Sequence, residues 1–169
     1  HRARDRDPYQ AFAGPKGRAG MTARGGAGAY RIWQGMDFAA IAADPKPLVG
    51  FSDITYLHLP LWERCRLATI HGSLGTPRSQ ACTRTLLMTT DPVTVVTDPT
   101  EMTSAVNVPG KASRALLGGH LPSVISLIGA GLPSLAGALS LTAAVRTIGI
   151  GQVDRQLTHL IQSGSLDGV

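Results

Sequence analysis

Short apolar runs of strand length alternate with helical patterns along the first half of the chain. Three such runs are bounded by glycine, proline or charged residues, which predicts strands at residues 19–23, 48–51 and 67–70. The intervening helices are predicted at residues 29–33, at residues 38–42 and after Ser52. This alternation predicts an α/β fold with an open, mostly parallel sheet flanked by helices, in which ligands bind beyond the carboxyl ends of the strands.

The second half of the chain contains longer apolar segments. Leu121 and Pro122 predict the start of a helix, because proline at the first helical turn loses no hydrogen bond. Asp154 is predicted to cap a last helix, which Gly164 ends. Residues 121–145 are long enough to cross a bilayer, but prolines and glycines interrupt them. A buried helix followed by a strand is therefore favoured over a membrane span.

Composition narrows the classes of protein that need to be considered. The chain has 169 residues, of which 43% are hydrophobic, enough for the core of one ordinary domain. Its net charge of +5 suggests nucleic-acid binding, but the basic residues are scattered rather than gathered in a stripe with aromatic residues, so no nucleic-acid partner is expected. Cys65 and Cys82 have neither zinc-site nor disulfide-framework spacing, which predicts buried free thiols in a reducing compartment.

The stretch from Pro47 to Thr55 carries the strongest chemical signal. An apolar strand runs into Gly50, then Ser52, and a helix begins at once. Such a turn lifts its side chain clear of the sheet and directs helix N–H groups toward it, which suits a nucleophile. The pattern differs from the full Gly-x-Ser-x-Gly elbow because Ile54 replaces the second glycine. The alternative is an ordinary helix cap, in which Ser52 or the residue after it accepts a hydrogen bond from the first turn.

Further stretches accompany this turn in a fixed order: residues 21–31, which include Arg-Gly-Gly, and residues 70–72, 116–121 and 153–158. Together with Gly-Phe-Ser-Asp-Ile-Thr, they resemble the LD-carboxypeptidases, the serine peptidase family that includes muramoyltetrapeptide carboxypeptidase and the microcin-immunity peptidases. Gly-Gly-His is a looser match, because the family usually has Asn where His120 stands. Family members are about twice as long as this chain, with the additional residues divided between its start and its end. We therefore expect the chain to be a central fragment of such a protein.

The resemblance implies roles for individual residues. Ser52 is the expected nucleophile, and the N–H of Asp53 is expected to bind the oxyanion together with an N–H from the bend at Gly25 and Gly26. His71 is expected to form a wall of the substrate pocket. Neither a metal nor an organic cofactor is expected. Residues 1–105 would form the nucleophile domain, incomplete at its start, and residues 106–169 the truncated beginning of a C-terminal domain.

The activity that the resemblance implies is hydrolysis of the L–D amide that releases a terminal D-amino acid from murein peptides, in the bacterial cytoplasm. The expected partner is a murein tetrapeptide or related peptide, with a homodimer left open and no membrane partner. Two departures weaken this expectation: Ala143 and Ala144 stand where the family has Glu-Asp, and no catalytic histidine appears before Val169. A catalytically incomplete remnant that at most binds peptide is therefore the alternative, and decay, substitution and a reading error all stay open.

Overall fold

The structure, a computed structural model, describes residues 17–94, 96, 99–100, 104, 106, 108–144 and 148–169. Strands and α-helices alternate along this part of the chain. In order they are β1 (Gly20–Met21), α1 (Phe38–Ala43), β2 (Leu48–Gly50), α2 (Thr55–Cys65), β3 (Ile70–His71), α3 (Pro77–Met88), β4 (Ala115–His120), α4 (Leu121–Ser126), β5 (Ala138–Ala143) and α5 (Ile150–Gln162). Single 3₁₀ turns occur at Ala29–Arg31, Trp33–Gly35 and Ser52–Ile54.

The strands form two parallel sheets. The first has the order β1-β2-β3, with Gly20 opposite Leu48 and Val49 opposite Ile70. The second pairs β4 with β5 over their whole length, up to His120 opposite Ala143. Because every pairing is parallel and helices separate the strands along the chain, the predicted α/β class is confirmed. The carboxyl ends of neighbouring strands lie at the same edge of each sheet.

A single cluster of buried apolar side chains joins the two halves of the chain. Its members include residues of the turn before α2, of α2 itself, and of α4 and α5, among them Ile54, Leu57, Leu61, Leu121, Val124 and Leu160. Thr55, which is fully buried, links α2 to β4 directly because its hydroxyl accepts the His120 N–H at 2.9 Å. The core therefore includes residues from both sides of the predicted domain boundary at residues 105 and 106, which stays a prediction.

The predicted strand at residues 48–51 and the predicted helix at residues 38–42 are confirmed to within one residue as β2 and α1. The predicted helix start at Leu121 is confirmed as well. Residues 121–145, long enough for a membrane span, instead contain the short helix α4 and the strand β5. Among the described residues, no helix combines the length and the apolarity that crossing a membrane requires.

Three predictions about local structure are wrong. The third strand is not at residues 67–70 but at Ile70–His71, close to the end of the predicted range. Residues 29–33 form parts of two 3₁₀ turns rather than the start of an α-helix. Asp154 does not cap α5, because that helix begins at Ile150 with Gly149 at its N-cap. Gly164 does follow the end of the helix, with the positive φ of 71° that a helix-ending glycine adopts.

Candidate active site

Ser52 occupies a strained turn between β2 and α2. Its φ of 58° lies in the left-handed region, which costs a non-glycine residue about 1–2 kcal/mol. The 3₁₀ turn Ser52–Ile54 leads directly into α2, and neither that turn nor α2 receives a side-chain cap. The capping alternative is therefore not what the structure adopts. Strain of this kind persists only where surrounding contacts over-determine the conformation, and it is common at functional sites.

The glycine-rich bend that follows β1 lies directly against Ser52. A Cβ added to Gly25 would lie 2.9 Å from the Cβ of Ser52 and 3.4 Å from its Oγ. The Asp53 carboxylate fixes this approach, because its Oδ2 accepts the backbone N–H of Ala29 at 2.8 Å. Asp53 is buried, so this hydrogen bond is shielded from water. The residue after the serine thus ties the turn to the bend through its side chain.

The backbone N–H groups of this turn have different partners. Ser52 donates its N–H to Nε2 of His71 at 3.3 Å, and Ile54 donates to the carbonyl of Phe51 at 3.2 Å. Within the described part of the chain, no acceptor takes the N–H of Asp53. The first N–H groups of a helical turn have no partner inside it, which is why such turns bind anions. The Asp53 N–H is therefore available to an oxygen of a ligand.

A cleft of about 980 Å³ opens beside the turn. The end of β1, the glycine-rich bend and the turn at Ser52 line it, with Arg24, Gly25, Gly26, Ser52 and Asp53 among the lining residues. Four of the residues expected at the site, namely Ser52, Asp53, Gly25 and Gly26, therefore share one cavity. The lining does not include His71, whose ring instead contacts the backbone of Ser52.

Two histidine rings flank the backbone before Ser52. His58 lies on α2 and its Nε2 is 3.1 Å from the carbonyl oxygen of Gly50, while its ring centroid is 5.9 Å from that of His71. His58 therefore faces the backbone that leads into the turn. The apolar spacing of Ile54, Leu57 and Leu61 could have revealed its orientation, because His58 falls on the same helical face.

The environment lowers the pKa of both rings. Burial lowers the pKa of His58 to about 4, opposed by its hydrogen bond to Gly50 and assisted by the neighbouring His71. Partial desolvation, with a contribution from His120, also lowers the pKa of His71 below its ordinary value, although this residue keeps solvent exposure. Both rings are therefore neutral at neutral pH.

His120 ends β4 at the edge of the second sheet. Its Nδ1 lies 3.2 Å from the hydroxyl of Ser123, and burial lowers its pKa while the Asp53 carboxylate acts in the opposite direction. Its register partner is Ala143, the last residue of β5. The resemblance implies an acidic residue at position 143. This position therefore lies beside His120 at the carboxyl edge of the sheet, and the chain has the methyl group of an alanine there.

Comparison with known proteins identifies relatives of this arrangement. Residues 1–72 match the family described as the LD-carboxypeptidase N-terminal domain. A Streptomyces coelicolor protein named as a carboxypeptidase is 35% identical over 96% of this chain and 54% of its own length. A Bacillus subtilis protein named as a murein peptide carboxypeptidase is 33% identical over 73% of this chain and 40% of its own. The chain thus spans about half the length of the relatives it matches, or less.

A solved structure supports the fold independently. The MccF-like protein of Bacillus anthracis superposes with a TM-score of 0.86 over 99% of this chain and 60% of that protein. The two sequences are 21% identical, so this likeness concerns the fold alone.

Proposed function

Because the chain belongs to the LD-carboxypeptidase family, we propose that it carries the nucleophile of a serine-type LD-carboxypeptidase, which hydrolyses the L–D amide of murein peptides and releases a terminal D-amino acid. The relative named as a murein peptide carboxypeptidase supports this substrate class. The chain spans only part of each relative, so the activity is proposed for the site rather than carried over from the whole proteins.

The observation that carries the proposal is the conformation of Ser52 beside the glycine-rich bend. A serine held at φ 58° at the end of a parallel strand, with its side chain bordering a cleft, presents its hydroxyl to a ligand rather than to the core. Ser52 Oγ has no hydrogen-bond partner among the described residues. A left-handed conformation costs a serine free energy, and strain of this kind is concentrated at functional sites.

In the reaction that we propose, Ser52 Oγ attacks the carbonyl carbon of the L–D amide, and its proton passes to a general base, for which the resemblance implies a histidine. The C–N bond then breaks as that base protonates the leaving nitrogen, the D-amino acid departs, and water hydrolyses the acyl-serine. In the attack the carbonyl oxygen becomes an oxyanion, which the Asp53 N–H and a backbone N–H of the bend at Gly25 and Gly26 stabilise. The tight approach of Gly25 to Ser52 supports this pairing, because a side chain on the bend would fill the space that the oxyanion needs. Removing one such donor typically slows acyl transfer by about 10²–10³-fold.

A second candidate function is peptide binding without turnover, and Ala143 is the observation that favours it. A serine hydroxyl needs a base to take its proton, and the base needs a partner that orients it. Ala143 ends β5 opposite His120, at a position where the resemblance implies an acidic residue. The side chain of an alanine can neither accept a proton nor orient a base. Loss of triad members leaves only about 10³–10⁴-fold acceleration over water.

The experiment that separates the two functions is incubation of the chain with a murein tetrapeptide, with released D-alanine measured by an enzyme-coupled assay. Turnover that Ser52→Ala abolishes and Ser126→Ala preserves would establish the peptidase and defeat the remnant. Ser126 is an exposed serine at the end of α4, so it controls for the substitution itself. Peptide binding by calorimetry without D-alanine release would establish the remnant instead.

We also propose a cytoplasmic location and the capacity to form a homodimer. Cys65 and Cys82 are free thiols, which is compatible with a reducing compartment, although Cys82 is exposed and Cys65 only partly buried, so the prediction that both are buried is wrong. Cytoplasmic murein peptides are the substrates that a recycling enzyme would encounter there. Fractionation of cells that express the native gene, and sedimentation of the purified chain at several concentrations, test these two proposals.

A further inference from the structure

Two imidazole rings contact the peptide groups on either side of Phe51, the residue before the strained serine. His58 approaches the carbonyl of Gly50 at 3.1 Å, and His71 approaches the N–H of Ser52 at 3.3 Å. The N–H of Gly72 also donates to the Gly50 carbonyl, at 2.9 Å. The backbone that enters the turn is therefore held by α2 on one side and by the end of β3 on the other.

The chemistry of these contacts fixes the proton on each ring. A carbonyl oxygen only accepts, so His58 must carry its proton on Nε2. A backbone N–H only donates, so Nε2 of His71 must be unprotonated and its proton must lie on Nδ1. A doubly protonated His71 has no acceptor left for the Ser52 amide, so this contact exists only while the ring is neutral.

We propose that His71 is a positioning residue for Ser52: its unprotonated Nε2 accepts the Ser52 N–H and holds the serine in its left-handed conformation, with His58 fixing the preceding Gly50 carbonyl. This deepens the proposed function, on which it rests for the role of Ser52. Occupation of the Ser52 amide by His71 also leaves the Asp53 N–H as the donor that faces a ligand.

The contact depends on pH because protonation of Nε2 of His71 removes the acceptor, and other titratable groups lie near that ring. His58 faces His71 from α2, and His120 acts on His71 from the end of β4. The Asp53 carboxylate acts on His120 rather than on His71 directly. At neutral pH both His58 and His71 are neutral and the contact is closed. Acidification protonates Nε2 of His71 and removes the acceptor, so the Ser52 amide is released.

The test uses the full 169-residue chain and requires no catalytic activity. The ¹⁵N–¹H resonance of the Ser52 amide and the ring resonances of His71 are followed by NMR between pH 8 and pH 4.5. We expect the Ser52 amide to shift with the same midpoint as the His71 ring and to exchange with water about three- to tenfold faster after correction for intrinsic exchange once that ring is charged. A Ser52 amide that does not follow the His71 titration would overturn the proposal.

Two variants separate positioning from general support of the fold. The amide oxygen of His71→Gln can accept the Ser52 N–H and cannot titrate, so we expect a protected Ser52 amide with no midpoint between pH 8 and pH 4.5. His71→Ala removes the acceptor, and we expect the fast-exchanging amide at every pH. Equal protection in the two variants would contradict the proposal, and if His71→Ala does not fold, the titration of the unsubstituted chain decides.

These outcomes are distinct from failure of the proposed function. If the Ser52 amide follows His71 but Ser52→Ala leaves D-alanine release unchanged, the positioning contact stands and the nucleophile assignment falls. If D-alanine release depends on Ser52 while the Ser52 amide does not follow the titration of His71, the nucleophile assignment stands and the positioning contact falls.

Discussion

Gly25 and Ser52 approach so closely that a Cβ on residue 25 would lie 2.9 Å from the serine Cβ and 3.3 Å from the carbonyl oxygen of Phe51. Neither of these neighbours is the far end of a flexible side chain, so the clash cannot be relieved by a rotamer change. The bend and the turn therefore pack closely against each other, and the cleft beside them depends on the absence of a side chain at residue 25.

Gly25→Ala should displace the bend from Ser52, weaken binding of a murein tetrapeptide by about tenfold, and lower the free energy of unfolding by about 1–3 kcal/mol, because backbone must shift to relieve the contact. Isothermal calorimetry and urea unfolding measure the two quantities. Gly35→Ala is the matched control, because a Cβ there meets nothing within 4 Å. Equal peptide affinity in the two variants would show that the approach of Gly25 has no part in binding.

Asp53→Ala should release the glycine-rich bend, because the Ala29 N–H loses the carboxylate oxygen that accepts it at 2.8 Å. We expect amide hydrogen exchange of Ala29 to accelerate by about tenfold. Asp53→Asn keeps an oxygen acceptor of the same shape and should retain most of the protection. The same exchange rate in the unsubstituted chain and in Asp53→Ala would contradict the tether.

Thr55→Val should lower the free energy of unfolding by about 1–3 kcal/mol, because the His120 N–H loses its acceptor while the shape of the side chain is kept. Thr55 is fully buried, so water cannot easily replace the hydroxyl. Thr55→Ser, which keeps the hydroxyl, provides the comparison. Urea unfolding measures the stability of both variants, and a more stable Thr55→Val than Thr55→Ser would count against this link between α2 and β4.

Stability should fall as the solution is acidified below about pH 6.5, the ordinary pKa of histidine. Burial lowers the pKa of His58 to about 4. Between pH 6.5 and pH 4 the unfolded chain therefore binds a proton on His58 that the folded chain does not, and acidification favours the unfolded chain. The contribution of His58 is fully present above pH 6.5 and is lost as pH falls toward 4, by at most about 3 kcal/mol.

Urea unfolding at pH 7 and at pH 4.5 measures this loss. In His58→Leu the difference between the two pH values should shrink, and a remainder should persist because the pKa values of His71 and His120 are also lowered. A pH dependence that His58→Leu leaves unchanged would show that another group is responsible.

The sequence predicted the parts of this fold whose local signals agree with one another. The strand β2 is a short apolar run between a Pro-rich turn and Gly50, and Leu121-Pro122 combines a helix former with proline at a position that tolerates it. The nucleophile expected within residues 47–55 was predicted from local signals that agree in the same way. A strand, a tight turn and a helix in immediate succession leave few conformations for Ser52.

The elements that were not predicted lack the usual pattern. The helix α3 has a capping box between Thr76 and Ser79, but Thr83 is its only buried residue, so no apolar stripe indicated it. The strand β4 contains Gly118 and Gly119, which normally argue against a strand interior. A Cβ on Gly119 would lie 2.5 Å from the Thr55 hydroxyl oxygen, so this glycine is required by tertiary contact, which no local pattern reveals.

The partners of the site residues were less predictable than the residues themselves. Ser52, Asp53, Gly25 and Gly26 could be selected from sequence, and the structure places them around one cleft. That the Asp53 side chain binds Ala29, and that His71 binds the Ser52 amide, depends on how three parallel strands align at their carboxyl ends. Such alignment is set by the packing of distant segments.

The most direct test of the account is covalent labelling of the chain by a fluorophosphonate, with the modified residue located by tandem mass spectrometry. We expect a single adduct, on Ser52, which forms in the folded chain and does not form when the chain is unfolded in urea or carries Ser52→Ala. An adduct on another serine such as Ser126, or labelling of Ser52 at the same rate in the folded and unfolded chain, would contradict the claim that this turn presents Ser52 as the nucleophile.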